Sequence, residues 1–254
     1  MTRQPSRLRR FFKVRYAIRL CILAFTIVAY FVLPESFSVL NGMDFFRRFT
    51  WLHVVWVIWV LDMTAQLVPS GGYSAAGSLK QFGRYYKPAR DPIEQTRLRR
   101  FFWENSLDSA NVLVVWIMII AGIGVLKTTG LLGEKELLLA AVVFYVLDMT
   151  FILFWCPFQV WILKNRCCTT CRIYNWDHMM MFSPLVFIAG FYGLSLFGLS
   201  MVSFLVWEWC FVRHAERFSD DTNLALRCGH CTDGLCRNEP TGRRHEAAAA
   251  RGDR

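Results

Sequence analysis

Six of the nine cysteines are crowded into two short polar segments, with a spacing typical of metal ligands. The segments read CCTTC at 167–171 and CGHCTDGLC at 228–236. Each contains a Cys-x-x-Cys pair, which lets two thiolates reach one metal ion, and two such pairs make a tetrahedral four-sulfur site. The sequence therefore predicts a shared metal site whose candidate ligands are Cys167, Cys168, Cys171, Cys228, Cys231 and Cys236.

Zinc is the first choice for this metal, in a structural clamp formed by Cys168, Cys171, Cys228 and Cys231. An iron–sulfur cluster is the second choice, because six cysteines exceed what one zinc ion requires. Two other interpretations stay open: unrelated reduced thiols, or a Cys-x-x-Cys pair that cycles between thiols and a disulfide. Structural disulfides are the weaker account because cytosolic thiols are kept reduced. The adjacent cysteines at 167–168 also fit a palmitoylation site beside a membrane.

A second candidate site consists of acidic residues within apolar segments. Asp62 and Asp148 each lie eleven residues into such a segment, and Glu208 lies near the end of another. An ionisable group at membrane depth costs about 2.5–3.5 kcal/mol on insertion scales, so a function or a partner must hold it there. One interpretation is a proton or cation site. The other is that each carboxylate accepts hydrogen bonds from a neighbouring helix or pairs with an arginine such as Arg19.

The composition places these residues on membrane-crossing helices. The 254 residues are 55% apolar or aromatic and 19% charged, with a mean hydropathy of +0.32. A soluble domain has about 45–50% apolar and about 25% charged residues, and a disordered chain is far less apolar. A crossing helix needs about 20 apolar residues. Four runs come near this length, and each predicts one helix: 17–33, 51–68, 110–126 and 137–163.

A fifth apolar run, residues 179–209, is too long for one upright helix, at roughly 46 Å. Gly190, Gly193 and Gly198 lie near its middle, where the chain could reverse direction. Two short helices in this run bring the number of crossings to six. The predicted fold is therefore all-α, a six-helix transmembrane bundle.

The distribution of positive charge agrees with six crossings that start in the cytoplasm. The formal net charge is +10, and cytoplasmic segments of membrane proteins are enriched in lysine and arginine. All but five of the 29 basic residues fall in predicted cytoplasmic segments, the exceptions being Arg19, Arg47, Arg48, Lys127 and Lys135. Both termini are then cytoplasmic. The expected partners are the lipid bilayer and its anionic headgroups, and nucleic acid is not expected.

Repeated motifs indicate that the bundle contains a tandem duplication. RLRRFF occurs at 7–12 and 97–102, and VLDMT occurs at 60–64 and 146–150. The two copies comprise residues 7–88 and 97–175, each a helical hairpin, and Asp62 and Asp148 are equivalent positions in them. The last hairpin is a shorter third copy, with Glu208 at the corresponding place.

These features divide the chain into six segments. They are a basic cytoplasmic arm (1–16), a first hairpin repeat with its cytoplasmic segment (17–88), a second hairpin repeat with a cysteine-rich loop (89–175), the last hairpin (176–212), a cysteine-rich cytoplasmic tail (213–238) and a disordered tail (239–254).

One stretch of the second copy resembles a known family. It reads CPFQ at 156–159 and KNRCCTTCRIYNWD at 164–177, and it is similar to a segment of a family of uncharacterised bacterial multi-pass membrane proteins. The resemblance implies a location in the bacterial inner membrane and brings no activity with it.

Three functions follow as hypotheses. The first is a non-enzymatic membrane protein whose cytoplasmic cysteines bind a metal that ties the tail to the loop. The second is a proton- or cation-coupled transporter or channel that uses Asp62 and Asp148. The third is a membrane redox carrier in which an iron–sulfur cluster passes electrons to a quinone. No catalytic residues are predicted, so an enzyme is the less favoured expectation.

Overall fold

A computed structural model describes residues 7–68, 80–89, 94–164 and 171–227, and these residues form helices and helical turns without a β-strand. The α-helices in the described residues are α1 (Arg7–Val32), α2 (Trp51–Leu67), α3 (Gln95–Thr128), α4 (Glu134–Leu153), α5 (Asp177–Phe182) and α6 (Phe191–Arg213). The predicted all-α class is confirmed for this part of the chain.

Four helices are long and apolar enough to cross a membrane: α1, α3, α4 and α6. Helix α2 is also apolar but has 17 residues, or about 26 Å of length. Helix α3 has 34 residues and measures about 51 Å, which exceeds the roughly 30 Å of a bilayer's hydrocarbon core, and its first turns carry charged side chains. Large apolar side chains are exposed on the outer faces of the helices, among them Phe31 and Leu61. Such faces are typical of contact with lipid.

Two helix starts follow from local hydrogen bonding. At the start of α2 the Nδ1 atom of His53 accepts a hydrogen bond from the backbone N–H of Thr50, at 3.1 Å. At the start of α4 the carboxylate of Glu136 accepts one from the N–H of Gly133, at 2.8 Å. In both cases the third residue of the helix satisfies a backbone donor that the helix itself leaves unpaired.

The helix predicted over 137–163 is shorter than expected and ends at Leu153. Pro157 has no N–H to donate to a carbonyl four residues earlier, so the α-helix cannot continue through it. The chain turns there and forms a short π-helix, Phe158–Ile162. Residues 156–159, which follow this break, border a cavity of about 300 Å³.

The long apolar run at 179–209 is divided at Gly190, into unequal parts. Helix α5 and a 3₁₀ helix, Ser183–Phe187, form the short part, and α6 forms the long one. Gly190 lies against the loop that follows α1, where Gly42 donates to Ala189 (3.1 Å) and accepts from Phe191 (2.9 Å). The close approach of two backbones explains why a glycine occupies the reversal, whereas Gly193 and Gly198 lie within α6.

The main core lies between α1, α2, α4, α5 and α6. Trp59 on α2 and Phe182 on α5 are completely buried there, with ring centroids 4.9 Å apart. Helix α3 packs beside this core, and its Trp116 donates a hydrogen bond of 3.0 Å to Ser183. The loop after α1 and the turn at Gly190 close one end of the core. The opposite end collects the start of α1, the ends of α2, α4 and α6, and the start of α5, and we call it the basic end.

Candidate functional site

Arg19 is the centre of a buried charge cluster near the basic end. It lies on α1 and is 2% exposed. Its Nη1 atom donates hydrogen bonds to Asp148 Oδ2 and to the backbone carbonyl of Tyr145, both at 2.6 Å, and its Nη2 atom donates to Asp62 Oδ2 at 3.4 Å. Its guanidinium also lies 3.9 Å from the centroid of the Tyr145 ring. Arg19 therefore bridges the two aspartates singled out in the sequence and joins three helices.

Arg15 lies one turn earlier on α1 and forms an ion pair with the other oxygen of Asp62. Both oxygens of Asp62 therefore face an arginine. A side chain removed from water can stay ionised when an opposite charge and hydrogen bonds compensate it. Without such partners its burial costs free energy of folding. These contacts are those expected if each aspartate is paired with an arginine. The cation-site hypothesis for Asp62 and Asp148 stays a prediction.

Helix α5 adds a second, polar half to the cluster. Gln66 on α2 donates to Asp177 Oδ1 (2.8 Å) and accepts hydrogen bonds from His178 Nδ1 (2.7 Å) and Ser203 Oγ (3.1 Å). The other ring nitrogen of His178 lies 3.6 Å from Asp62 Oδ2 and has no hydrogen-bond partner among the described residues. The cluster thus extends over α1, α2, α4, α5 and α6.

The formal charges of the cluster cancel only when His178 is protonated. Arg15 and Arg19 balance two of the three aspartates, so a neutral His178 leaves one excess negative charge. A cavity of about 20 Å³ lies among these side chains and is bordered by both arginines and all three aspartates. That volume suffices for about one water molecule.

Sequence reasoning did not single out several members of the cluster, among them Arg15, Gln66, Asp177 and His178. Gln66 carried a usable signal, because it lies one helical turn after Asp62 and therefore on the same face of α2. Asp177 and His178 lie at the polar boundary of an apolar run, a position where charged residues are common and carry no such signal.

Glu208 belongs to a different cluster. It lies on α6, pairs with Arg172 through two hydrogen bonds, one of them 3.1 Å long from Nε, and accepts a third from Trp176 Nε1 at 2.7 Å. Arg172 also donates to Ser106 on α3, at 2.9 Å. The structure therefore does not bring Glu208 together with Asp62 and Asp148. Its pair instead anchors the segment that follows Cys171 to α3 and α6.

A larger cavity, of about 300 Å³, lies beside the charge cluster. Helices α3, α4 and α5 and the segments 156–159 and 171–174 border it, and its wall includes Asp148 and Asp177, which also border the small cavity. The rest of the wall is mostly apolar, and its aromatic members are Trp116, Phe144, Phe151, Phe158 and Tyr174. No lysine, arginine or histidine of the described residues lines it. Its size is at the lower end of small-molecule sites.

Most of the predicted metal ligands lie outside the described residues, namely Cys167, Cys168, Cys228, Cys231 and Cys236. Cys171 is described; it is 4% exposed and lines the large cavity, as does the free thiol of Cys156. Within the described ranges, no group of three or more His, Cys, Asp or Glu side chains is placed to hold a metal ion. The cysteine metal site stays a prediction.

Comparison of the chain with models of known protein families, with curated proteins and with solved structures finds no match. The fold and the site define an all-helical protein with helices of membrane-crossing length and composition, a buried charge cluster and an adjacent apolar cavity.

Proposed function

We propose that the protein is an integral membrane protein with six crossings and both termini in the cytoplasm. Four helices have the required length and apolar character, while α2 and the segment 177–187 run between the same two ends of the molecule. The start of α1 and the ends of α2, α4 and α6 meet at the basic end, as a cytoplasmic face requires. We assign the protein to the bacterial inner membrane on the resemblance of residues 156–177 alone.

We also propose that the α1–α2 and α3–α4 hairpins are copies of one unit. Asp62 and Asp148 lie five residues before the ends of α2 and α4, at Leu67 and Leu153, and both contact Arg19. The position in α3 that corresponds to Arg19 is a buried serine, Ser109. The equal distance of the two aspartates from the ends of their helices supports the duplication, whereas Ser109 marks a position at which the two copies differ.

For the activity, we propose a transporter that binds a small, largely apolar molecule in the large cavity. The observation that carries this proposal is the position of Asp148, whose side chain borders both the cavity and the charge cluster. A molecule bound in the cavity contacts the same carboxylate that Arg19 holds. Ligand occupancy and the arrangement of α1 and α4 are therefore linked through one ion pair, and α2 is joined to them through the contact of Arg19 with Asp62.

Ligand protection of Cys156 tests the cavity directly. Burial raises the pKa of the Cys156 thiol, so alkylation is run at about pH 9, where more thiolate is present. We expect tert-butylbenzene, at about four times its Kd, to slow alkylation of Cys156 about fivefold, because only the empty protein reacts. Peptide mass spectrometry measures the rate, with the free thiol of Cys210, which does not line the cavity, as an internal reference.

A matched pair of tryptophan variants supplies the control. Leu147→Trp fills the cavity, whereas Val143→Trp adds the same side chain one turn earlier on α4, at an exposed position that does not line it. Protection should disappear in the first variant and persist in the second. Equal protection of Cys156 and Cys210, or persistent protection in Leu147→Trp, would show that the probe does not bind in the cavity.

A second candidate function, the cysteine metal site, is supported by where the two cysteine segments begin. Cys171 precedes Arg172, which pairs with Glu208 near the end of α6. The tail leaves the same end of α6, and its Phe218 packs on Trp207. Both cysteine segments therefore extend from the basic end, which is the condition for a shared zinc site or, as the alternative, an iron–sulfur cluster.

Anaerobic purification followed by elemental analysis tests this site. We expect about one zinc ion per chain, lost in Cys168→Ser and in Cys228→Ser and retained in Cys210→Ser, because two Cys-x-x-Cys pairs supply four thiolates. Bound iron and sulfide with absorbance at roughly 300–450 nm would instead identify an iron–sulfur cluster. Wild-type protein without a stoichiometric metal would exclude both.

A further inference from the structure

The large cavity has an acidic wall without a basic counterpart. Asp148 and Asp177 are the charged residues among the described ones that line it. Arg15, Arg19 and His178 border the small cavity and not the large one. A ligand in the large cavity therefore meets the negative side of the cluster, while the cations lie behind it. This arrangement attracts positive charge and opposes an anion of the same shape.

Both carboxylates keep hydrogen-bonding capacity for a ligand. Asp148 accepts from Arg19 through Oδ2, and Asp177 accepts from Gln66 and from the backbone of His178 through Oδ1. The second oxygen of each carboxylate accepts no hydrogen bond from another described residue. Because an ionised carboxylate offers two oxygens with about four lone-pair positions, each of the two can still bind a donor or a cation.

His178 completes the positive side of the cluster. Its Nδ1 atom lies 3.1 Å from Asp177 Oδ1 and its Nε2 atom lies 3.6 Å from Asp62 Oδ2, so three cations face three aspartates when the imidazole is protonated. The cluster is then balanced as a whole, but of its charged groups only Asp148 and Asp177 border the large cavity. A cation in that cavity meets carboxylates at close range, whereas an anion there is repelled by them.

The remaining wall is suited to the hydrocarbon part of such a cation. The Trp116 ring lies 5.1 Å from the Phe144 ring and 6.3 Å from the Phe158 ring, measured between centroids. Aromatic faces attract alkylammonium groups, most strongly where water is excluded. The same surfaces exclude a strongly hydrated inorganic ion, for which the wall offers few oxygen ligands.

The geometry points to an organic cation as the ligand of the large cavity. Its ammonium group lies beside Asp148 and Asp177, and its apolar body lies against the aromatic wall. This inference rests on the proposed function, since it names the class of molecule that the proposed transporter binds.

Three probes of similar shape and different charge test it. Phenyltrimethylammonium is the cation, tert-butylbenzene is its uncharged carbon analogue, and benzenesulfonate is the anion. Protection of Cys156 in wild-type protein gives the affinity of each probe and requires no variant. We expect the cation to bind at least about tenfold more tightly than the neutral analogue, a difference that cation–π attraction and the carboxylates can supply, and the anion to give no protection.

Two charge-removing variants locate the preference. Asp177→Asn keeps the shape of the wall and removes one charge, so the cation should lose its advantage while the affinity for tert-butylbenzene stays the same. Glu104→Gln removes an exposed carboxylate of α3 that does not line the cavity, and it should keep the preference.

Each outcome has a distinct meaning. Equal protection by cation and neutral analogue, or stronger protection by the anion, would overturn the inference and leave the proposed binding function in place. A preference for the cation that survives Asp177→Asn unchanged would also overturn it, because the charge would then act elsewhere. Protection by none of the three probes would overturn both the inference and the proposed function.

Discussion

Replacement of Arg19 by methionine is expected to lower the free energy of unfolding by about 3–5 kcal/mol, the cost of removing one partner from a buried ion pair. Arg19 is 2% exposed and contacts Asp62 and Asp148. Its loss leaves Asp148 facing an unbranched apolar chain, while Asp62 keeps Arg15 as its only arginine among the described residues. Methionine is of similar length and adapts its shape to the space, which restricts the effect to charge and hydrogen bonding. Titration with a denaturing detergent, followed by circular dichroism, measures the change.

Neutralising Asp148 as well should reverse much of this loss. The double variant Arg19→Met, Asp148→Asn removes both members of that ion pair, while Asp62 keeps its ion pair with Arg15. A buried ion pair replaced by uncharged groups is often near neutral in stability. Arg47→Met is the matched control, since Arg47 is exposed and lies 3.8 Å from Asp44, an arrangement worth less than about 1 kcal/mol. An Arg19→Met variant no less stable than Arg47→Met would contradict a central role for the cluster.

The second large effect is expected at the chain reversal, where Gly190→Ala should destabilise the fold by about 3 kcal/mol, at the upper end of overpacking costs. A Cβ at this position would lie 2.0 Å from the Leu40 carbonyl oxygen and 3.0 Å from the Gly42 nitrogen. Both neighbours are backbone atoms and cannot rotate away. The two backbone hydrogen bonds between this turn and the loop after α1 must therefore lengthen or break. The same denaturing titration measures the loss.

Gly198 provides the control within the same helix. It lies in α6, and a Cβ there would meet nothing within 4 Å. Gly198→Ala should therefore stabilise the protein by about 0.5–1 kcal/mol, the difference in helix propensity between the two residues. If Gly190→Ala unfolded at the same detergent concentration as Gly198→Ala, the two loops would not approach as closely as the structure indicates.

Several features of this protein can be read from the order of its residues. The helical class and the positions of most long helices follow from the lengths of the apolar runs, because a helix that crosses a bilayer needs about 20 successive apolar residues. The division of the 179–209 run also follows, since its length exceeds one crossing and glycine marks the turn. Asp62 and Asp148 stood out because a carboxylate in an apolar run always needs an explanation.

Local sequence was less informative about where helices end. The run at 137–163 stays mostly apolar on both sides of Pro157, yet α4 stops at Leu153. Proline has no N–H to donate within a helix, and a count of apolar residues does not register that loss. The helix predicted at 110–126 is part of the longer α3, which begins at Gln95. The first turns of α3 carry charged side chains, so a count of apolar residues does not locate the start of the helix.

Only the packing of the helices decided which polar groups meet. Gln66 contacts Asp177 and Ser203, which lie 111 and 137 positions further along the chain, and no local pattern relates such distant residues. Glu208 resembled the two aspartates in sequence but pairs with Arg172 instead. The cavity is likewise a space between α3, α4 and α5. Periodicity and composition describe one helix at a time, whereas a shared arginine and a cavity wall depend on how several helices are placed against one another.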